Sequence, residues 1–136
     1  MSYAGDITPR QAWDLLQENP DAVLVDVRTE AEWKYVGVPE TSSLGRRTVF
    51  VEWVRYPDGV PNKSFVEDLK AAGIDKGPVI FLCRSGQRSI GAAEAATAAG
   101  LTPAYNVLEG FEGALDAEGH RGAQGWRAEG LPWRQS

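Results

Sequence analysis

The sequence predicts an α/β domain built on a largely parallel sheet. Three short apolar runs carry that expectation: Ala22-Val23-Leu24-Val25, Pro78-Val79-Ile80-Phe81-Leu82 and Ala104-Tyr105-Asn106-Val107-Leu108. They lack the apolar/polar alternation of a half-solvated strand, so they read as strands covered on both faces. Helix-start signals lie between them, and strands alternating with helices are what parallel crossovers produce. The 136 residues suit one domain. A chain of this size buries about 70% of the surface its unfolded form exposes, so it holds a core without disulfide or metal.

Element by element, Thr8-Pro9-Arg10-Gln11 forms a capping box that opens a helix with Ala12, Leu15 and Leu16 on one face, Pro9 taking the favoured first position. The first apolar run follows. Thr29 to Glu32 opens a short helix around Trp33, and Ser64 to Glu67 opens one carrying Phe65, Leu69 and Ala72, with Gly73 placed to end it in a left-handed cap. After the second run, Ser89 to Ala99 reads as a helix closed by Gly100, and the third run completes the pattern. Gly37 to Pro61 and Gly110 to Gly130 are the least regular parts; the second holds six of the 15 glycines, which favours loops.

Composition excludes several function classes. The 14 Lys+Arg against 19 Asp+Glu give a net charge of −5, with no basic stripe to neutralise phosphates, so a nucleic-acid partner is not expected. No stretch approaches the roughly 20 apolar residues a bilayer requires, and Met1 to Thr8 lacks a basic segment followed by an apolar run. The expectation is a cytoplasmic protein without membrane contact. A single cysteine excludes an internal disulfide, a Cys-x-x-Cys pair and a multi-cysteine zinc site. Cys83 is then a buried small hydrophobe or a nucleophile.

Its setting favours the nucleophile. Cys83 follows the apolar run at 78–82 and precedes Arg84-Ser85-Gly86-Gln87-Arg88-Ser89, after which a helix begins. A short loop of this kind can turn successive N–H groups inward while the helix start adds partial positive charge, and both stabilise an anion such as a thiolate. Gly86 supplies a position that tolerates unusual backbone angles. The following helix carries six alanines and Gly91, letting it approach the sheet closely. Loop size narrows the chemistry. A tetrahedral phosphoryl group calls for Cys, five residues, then Arg, whereas here four residues, Arg84 to Gln87, separate Cys83 from Arg88. The shorter cradle suits a thiolate carrying one extra sulfur atom.

The run Leu82-Cys83-Arg84-Ser85-Gly86-Gln87-Arg88-Ser89 resembles the active loop of single-domain rhodanese sulfurtransferases. Leu24 to Trp33 resembles that family's Asp-x-Arg strand-then-helix segment, and Glu109 to Gly113 with Gly125 to Trp133 resembles its closing motif. The resemblance implies one rhodanese-like domain over residues 1–136, a central five-stranded, mostly parallel sheet with helices on both faces, and the active loop at the carboxyl end of a central strand. It implies that a small anionic donor such as thiosulfate gives its outer sulfur to Cys83, that Arg84, Ser85, Gly86, Gln87, Arg88 and Ser89 bind it, and that Asp26 and Arg28 support the loop. A thiol, cyanide or protein acceptor then removes the sulfur, with no cofactor and no metal. Where many relatives have Gly-His-Ile-Pro-Gly-Ala, this chain has Val36-Gly37-Val38-Pro39-Glu40-Thr41, and Ala114 to Gln124 widens the closing motif. Both departures bear on the substrate.

Other residues invite weaker readings. Trp33, Trp53 and Trp126 could wall a pocket but are more often core. Arg46, Arg47 and Arg55 among Val49, Phe50, Val51 and Trp53 could form a basic rim, though a solvated strand edge explains them. Asp116, Glu118 and His120 alternate like metal ligands, but a glycine-rich loop exposing polar groups accounts for the pattern. The alternatives to a sulfurtransferase are a non-catalytic recognition module of the same fold and a phosphatase or arsenate reductase on the same scaffold. Oligomeric state is open.

Overall fold

The computed structural model describes residues 3–45, 48–55, 59–113, 115, 117–122 and 124–135, without the side chain of Arg55. In chain order the elements are β1 (Gly5–Ile7), α1 (Pro9–Glu18), β2 (Val23–Asp26), α2 (Glu30–Tyr35), β3 (Val38–Pro39), a 3-10 turn (Ser42–Leu44), β4 (Val49–Phe50), β5 (Val54–Arg55), β6 (Val60–Pro61), α3 (Phe65–Ala71), β7 (Val79–Leu82), α4 (Arg88–Ala98), β8 (Ala104–Val107) and β9 (Trp133–Arg134). Five strands form an all-parallel sheet in the order β1-β8-β7-β2-β4. The central strand, β7, is buried at every position, as its unbroken Val-Ile-Phe-Leu run requires.

Alternation along β7 builds two cores. Val79, Phe81 and Cys83 join Phe65, Leu69 and the alanines of α4 on one face, while Ile80 and Leu82 join Ala12 and Leu16 of α1 and Trp126 on the other. Helices therefore cover both faces, as expected. The alanine-rich surface of α4 permits close packing; at Gly91 an added Cβ would sit 2.9 Å from the Trp53 ring.

Two of the three expected capping boxes form. Thr8 and Thr29 each accept from the N3 backbone N–H, and Gln11 and Glu32 each reach back to the cap N–H. Ser64 makes no such bond, because its ψ of 18° is not the extended angle that aims a cap hydroxyl along the helix. Asn62 organises that turn instead, its Oδ1 accepting from the Ser64 N–H and its Nδ2 donating to Asp68 and the Glu52 carbonyl. The left-handed stop at Gly73 is present: its φ is +93°, and the Ile74 N–H returns to the Leu69 carbonyl.

The irregular stretch 37–61 conceals the fifth strand. β4 has two residues and pairs with Val25 and Asp26 of β2, too short to show a pattern in the sequence. Two small antiparallel ribbons, β3 with β9 and β5 with β6, flank the sheet. Among the described residues, no helix is long and apolar enough to cross a membrane.

Candidate active site

Cys83 leaves the carboxyl end of β7 with strands on either side, the position where parallel α/β sheets gather ligand sites. It is 1% exposed. Its Sγ accepts a hydrogen bond from the Gly86 N–H at 3.1 Å and lies 3.2 Å from the Ser89 hydroxyl oxygen. The loop turns back onto the sulfur because Gly86 adopts a φ of +95°, in the left-handed region that a side chain strains. Residues 88 and 89 open α4, so the sulfur also faces the positive end of an 11-residue helix. Gln87 is exposed, Ser85 is half-buried, and both border a cleft of about 440 Å³ on the β1 and β8 side of the loop.

The serine is held from behind. Ser89 Oγ is hydrogen-bonded to Asn106 Oδ1, while Asn106 Nδ2 donates to Asp6 Oδ1 at 3.0 Å and to the Gly86 carbonyl at 3.2 Å. Two acceptors on the nitrogen side fix the amide, so its oxygen must face Ser89. One side chain thus ties β8, β1 and the loop together. The sequence marks Asn106 only as part of a strand; the signal it carries is an amide inside an otherwise apolar run. Asp6 left no signal.

The two loop arginines differ. Arg84 is exposed and pairs with no carboxylate among the described residues. Arg88 is half-buried, and its two terminal nitrogens meet the two Glu32 oxygens at 2.8 and 2.9 Å. Burial opposes charge on both partners, yet the hydrogen-bonded contact wins. Glu32 falls from the usual 4.5 to about 2, and Arg88 is held above its ordinary range by Glu32, then Cys83 and Asp26. The sequence predicts Glu32 as part of a helix cap; that it also neutralises Arg88, 56 residues away, depends on how α2 docks beside the loop.

Asp26 and Arg28 form a pair with no solvent exposure, Nη2 to Oδ2 at 2.6 Å and Nε to Oδ1 at 2.9 Å. Arg28 Nη2 also donates to the Gly37 carbonyl at 2.7 Å. Its remaining nitrogen, Nη1, is buried without a hydrogen-bond partner, and the guanidinium lies 4.3 Å from the centre of the Phe111 ring. Phe111 in turn donates its N–H to the Cys83 carbonyl at 2.8 Å, and Glu112 donates to the Arg84 carbonyl. Gly110 allows this approach: a Cβ there would lie 2.4 Å from the Cys83 carbonyl oxygen. The closing segment is therefore clamped to the active loop from below.

The tryptophans divide. Trp126 is fully buried against Trp13 and Trp53 stacks edge-on to Phe65, while Trp33 with Phe50 lines a surface cavity of about 400 Å³. Glu118 and His120 are exposed and 3.9 Å apart, and no group of three or more His, Cys, Asp or Glu side chains converges among the described residues. Arg46, Arg47, the Arg55 side chain and Asp116 lie outside them.

The sequence matches the STR4 middle domain family over residues 4–136. This chain belongs to that family. It is 36% identical over 131 residues to an uncharacterized protein of Rickettsia conorii, covering 95% of this chain and 96% of that one. It is 31% identical over 116 residues to the thiosulfate sulfurtransferase GlpE of Glaesserella parasuis, covering 83% and 88%. Among solved structures, Rv0390 from M. tuberculosis superposes with a TM-score of 0.93 at 68% identity, over 99% and 100% of the two chains. The polysulfide-sulfur transferase homodimer of Wolinella succinogenes gives 0.62 at 26%, covering 94% and 76%. A rhodanese-like domain protein of Staphylococcus aureus gives 0.58 at 22%, covering 78% and 86%. The fold of this STR4 middle domain relative is rhodanese-like.

Proposed function

We propose that this chain is a single-domain, cytoplasmic sulfurtransferase that carries a sulfane sulfur as a persulfide on Cys83. The observation that carries the reading is the Cys83 sulfur at the end of the central strand, receiving the Gly86 N–H and facing the start of α4 beside the Ser89 hydroxyl. Donors aimed at a sulfur in a nearly water-free site stabilise a thiolate and the persulfide anion that replaces it. In the first step the thiolate attacks the outer sulfur of a donor such as thiosulfate. The new S–S bond forms as the old one breaks, and sulfite leaves with its electron pair. In the second step an acceptor thiolate or cyanide attacks the outer sulfur and Cys83 leaves as thiolate. With one cysteine in the chain, the acceptor must come from outside. Similarity to GlpE and to the polysulfide-sulfur transferase supports this reading.

The test is direct. Protein incubated with thiosulfate should gain the mass of one sulfur atom, lose it on adding cyanide, and release thiocyanate; Cys83→Ser should do none of these. No gain from any sulfane donor, with turnover of an aryl phosphate, would overturn the proposal.

A further inference from the structure

Glu32 does two jobs at once. It closes the capping box of α2, its Oε1 accepting from the Thr29 N–H at 3.2 Å and from the Thr29 hydroxyl at 3.1 Å, and the same carboxylate grips both terminal nitrogens of Arg88. Its position is therefore set by the backbone of α2. An incoming anion that sought the Arg88 fork would have to displace a carboxylate anchored on two sides and ionised at every working pH. The second arginine near the loop, Arg28, is spent on Asp26 and fully buried. Carboxylates and guanidiniums thus cancel in pairs around Cys83, while exposed Arg84 has no carboxylate partner among the described residues.

We propose that Glu32, acting through Arg88, makes this site discriminate against doubly charged sulfur donors in favour of an organic persulfide that brings at most one charge. The inference rests on the sulfurtransferase reading of Cys83. With thiosulfate, a dianion must approach a thiolate beside two guanidiniums, Arg28 and Arg88, that are already paired. With an organic persulfide R–S–SH, the thiolate attacks the outer sulfur, the S–S bond breaks, R–S⁻ leaves with the electron pair, and Cys83 keeps the S–SH group. The charge is −1 before and after, and no like charges are pressed together. Glu32 is a positioning residue, since it touches Arg88 and not the reacting sulfur.

The test compares rates of sulfur uptake by Cys83, read by intact mass, from thiosulfate and from hydroxyethyl persulfide. The measured quantity is the ratio of the two second-order rate constants on one preparation, which cancels any loss of folded protein. Glu32→Gln keeps a cap acceptor and removes the charge; Glu32→Ala removes both. In each the thiosulfate-to-persulfide ratio should rise about tenfold, as expected for one unit charge released near a dianion in a partly wet site. A ratio within twofold of wild type in both variants would overturn the role of Glu32. If neither donor adds sulfur to wild-type Cys83, the sulfurtransferase reading itself falls, an outcome separate from an unchanged ratio.

Discussion

Two arginine–carboxylate pairs stand near Cys83, and they are built for opposite ends. Arg28 and Asp26 are two residues apart on one strand end, with no exposure, and the pair leans on Phe111 beneath the loop. Arg88 and Glu32 are 56 residues apart, join two helices, and keep 26% and 17% of their side chains in solvent. A fully buried pair has no access to an incoming anion, so it can only hold the scaffold. A half-buried pair still projects its field into the cup, so changing either charge alters what the cup attracts. Local sequence cannot distinguish them; depth decides.

The comparison breaks most clearly at the buried pair. Asp26→Asn should cost about 3–5 kcal/mol in urea unfolding, because Arg28 is left charged and buried without its carboxylate. Adding Arg28→Met should recover part of that loss; a double variant no more stable than Asp26→Asn would show that the pair contributes more than relief of a buried charge. Next in size, Phe111→Leu should cost about 2 kcal/mol, combining a smaller core side chain with the lost cation–π contact. A loss below about 0.5 kcal/mol would mean that Arg28 is not supported from that side.

The half-buried pair should show the smallest effect on stability, and one tuned by acid. Glu32→Gln should cost about 0.5–1 kcal/mol at pH 7, the range of a partly solvated pair. The folded carboxyl titrates near 2 against an ordinary 4.5, so its contribution is complete above pH 4.5 and is lost as pH falls through the folded value. Thermal melts of wild type and Glu32→Gln should therefore converge between pH 4.5 and pH 2. A gap that persists in acid would assign the cost to the fit of the Gln amide rather than to the lost ion pair with Arg88.

How legible this was in the sequence depended on whether the physics is local. Apolar runs marked β2, β7 and β8, and Thr8 and Thr29 marked two helix starts, because strand burial and capping are encoded within a few residues. The cysteine and its loop were legible for the same reason. β4 was hidden, since two residues carry no period, and Ser64 misled because Asn62 captured its turn. The side chains that tune the site, Glu32, Asn106 and Asp6, come from distant parts of the chain, and only the packed sheet brings them to Cys83.

The strand order has a consequence in time. Among the described residues β1 pairs only with β8, so Gly5 to Ile7 find their partners at Tyr105 to Val107, and Asp6 meets Asn106 across 100 residues. During synthesis β1 has no strand to dock on until β8 has emerged. Large loops must close before that pairing returns any stability, which slows folding. The edge of β8 meanwhile stands open with apolar neighbours, the condition in which growing chains associate wrongly. The same pairing that steadies Asn106 behind the sulfur thus joins segments 100 residues apart, and the support of Ser89 is complete only when β1 has docked on β8.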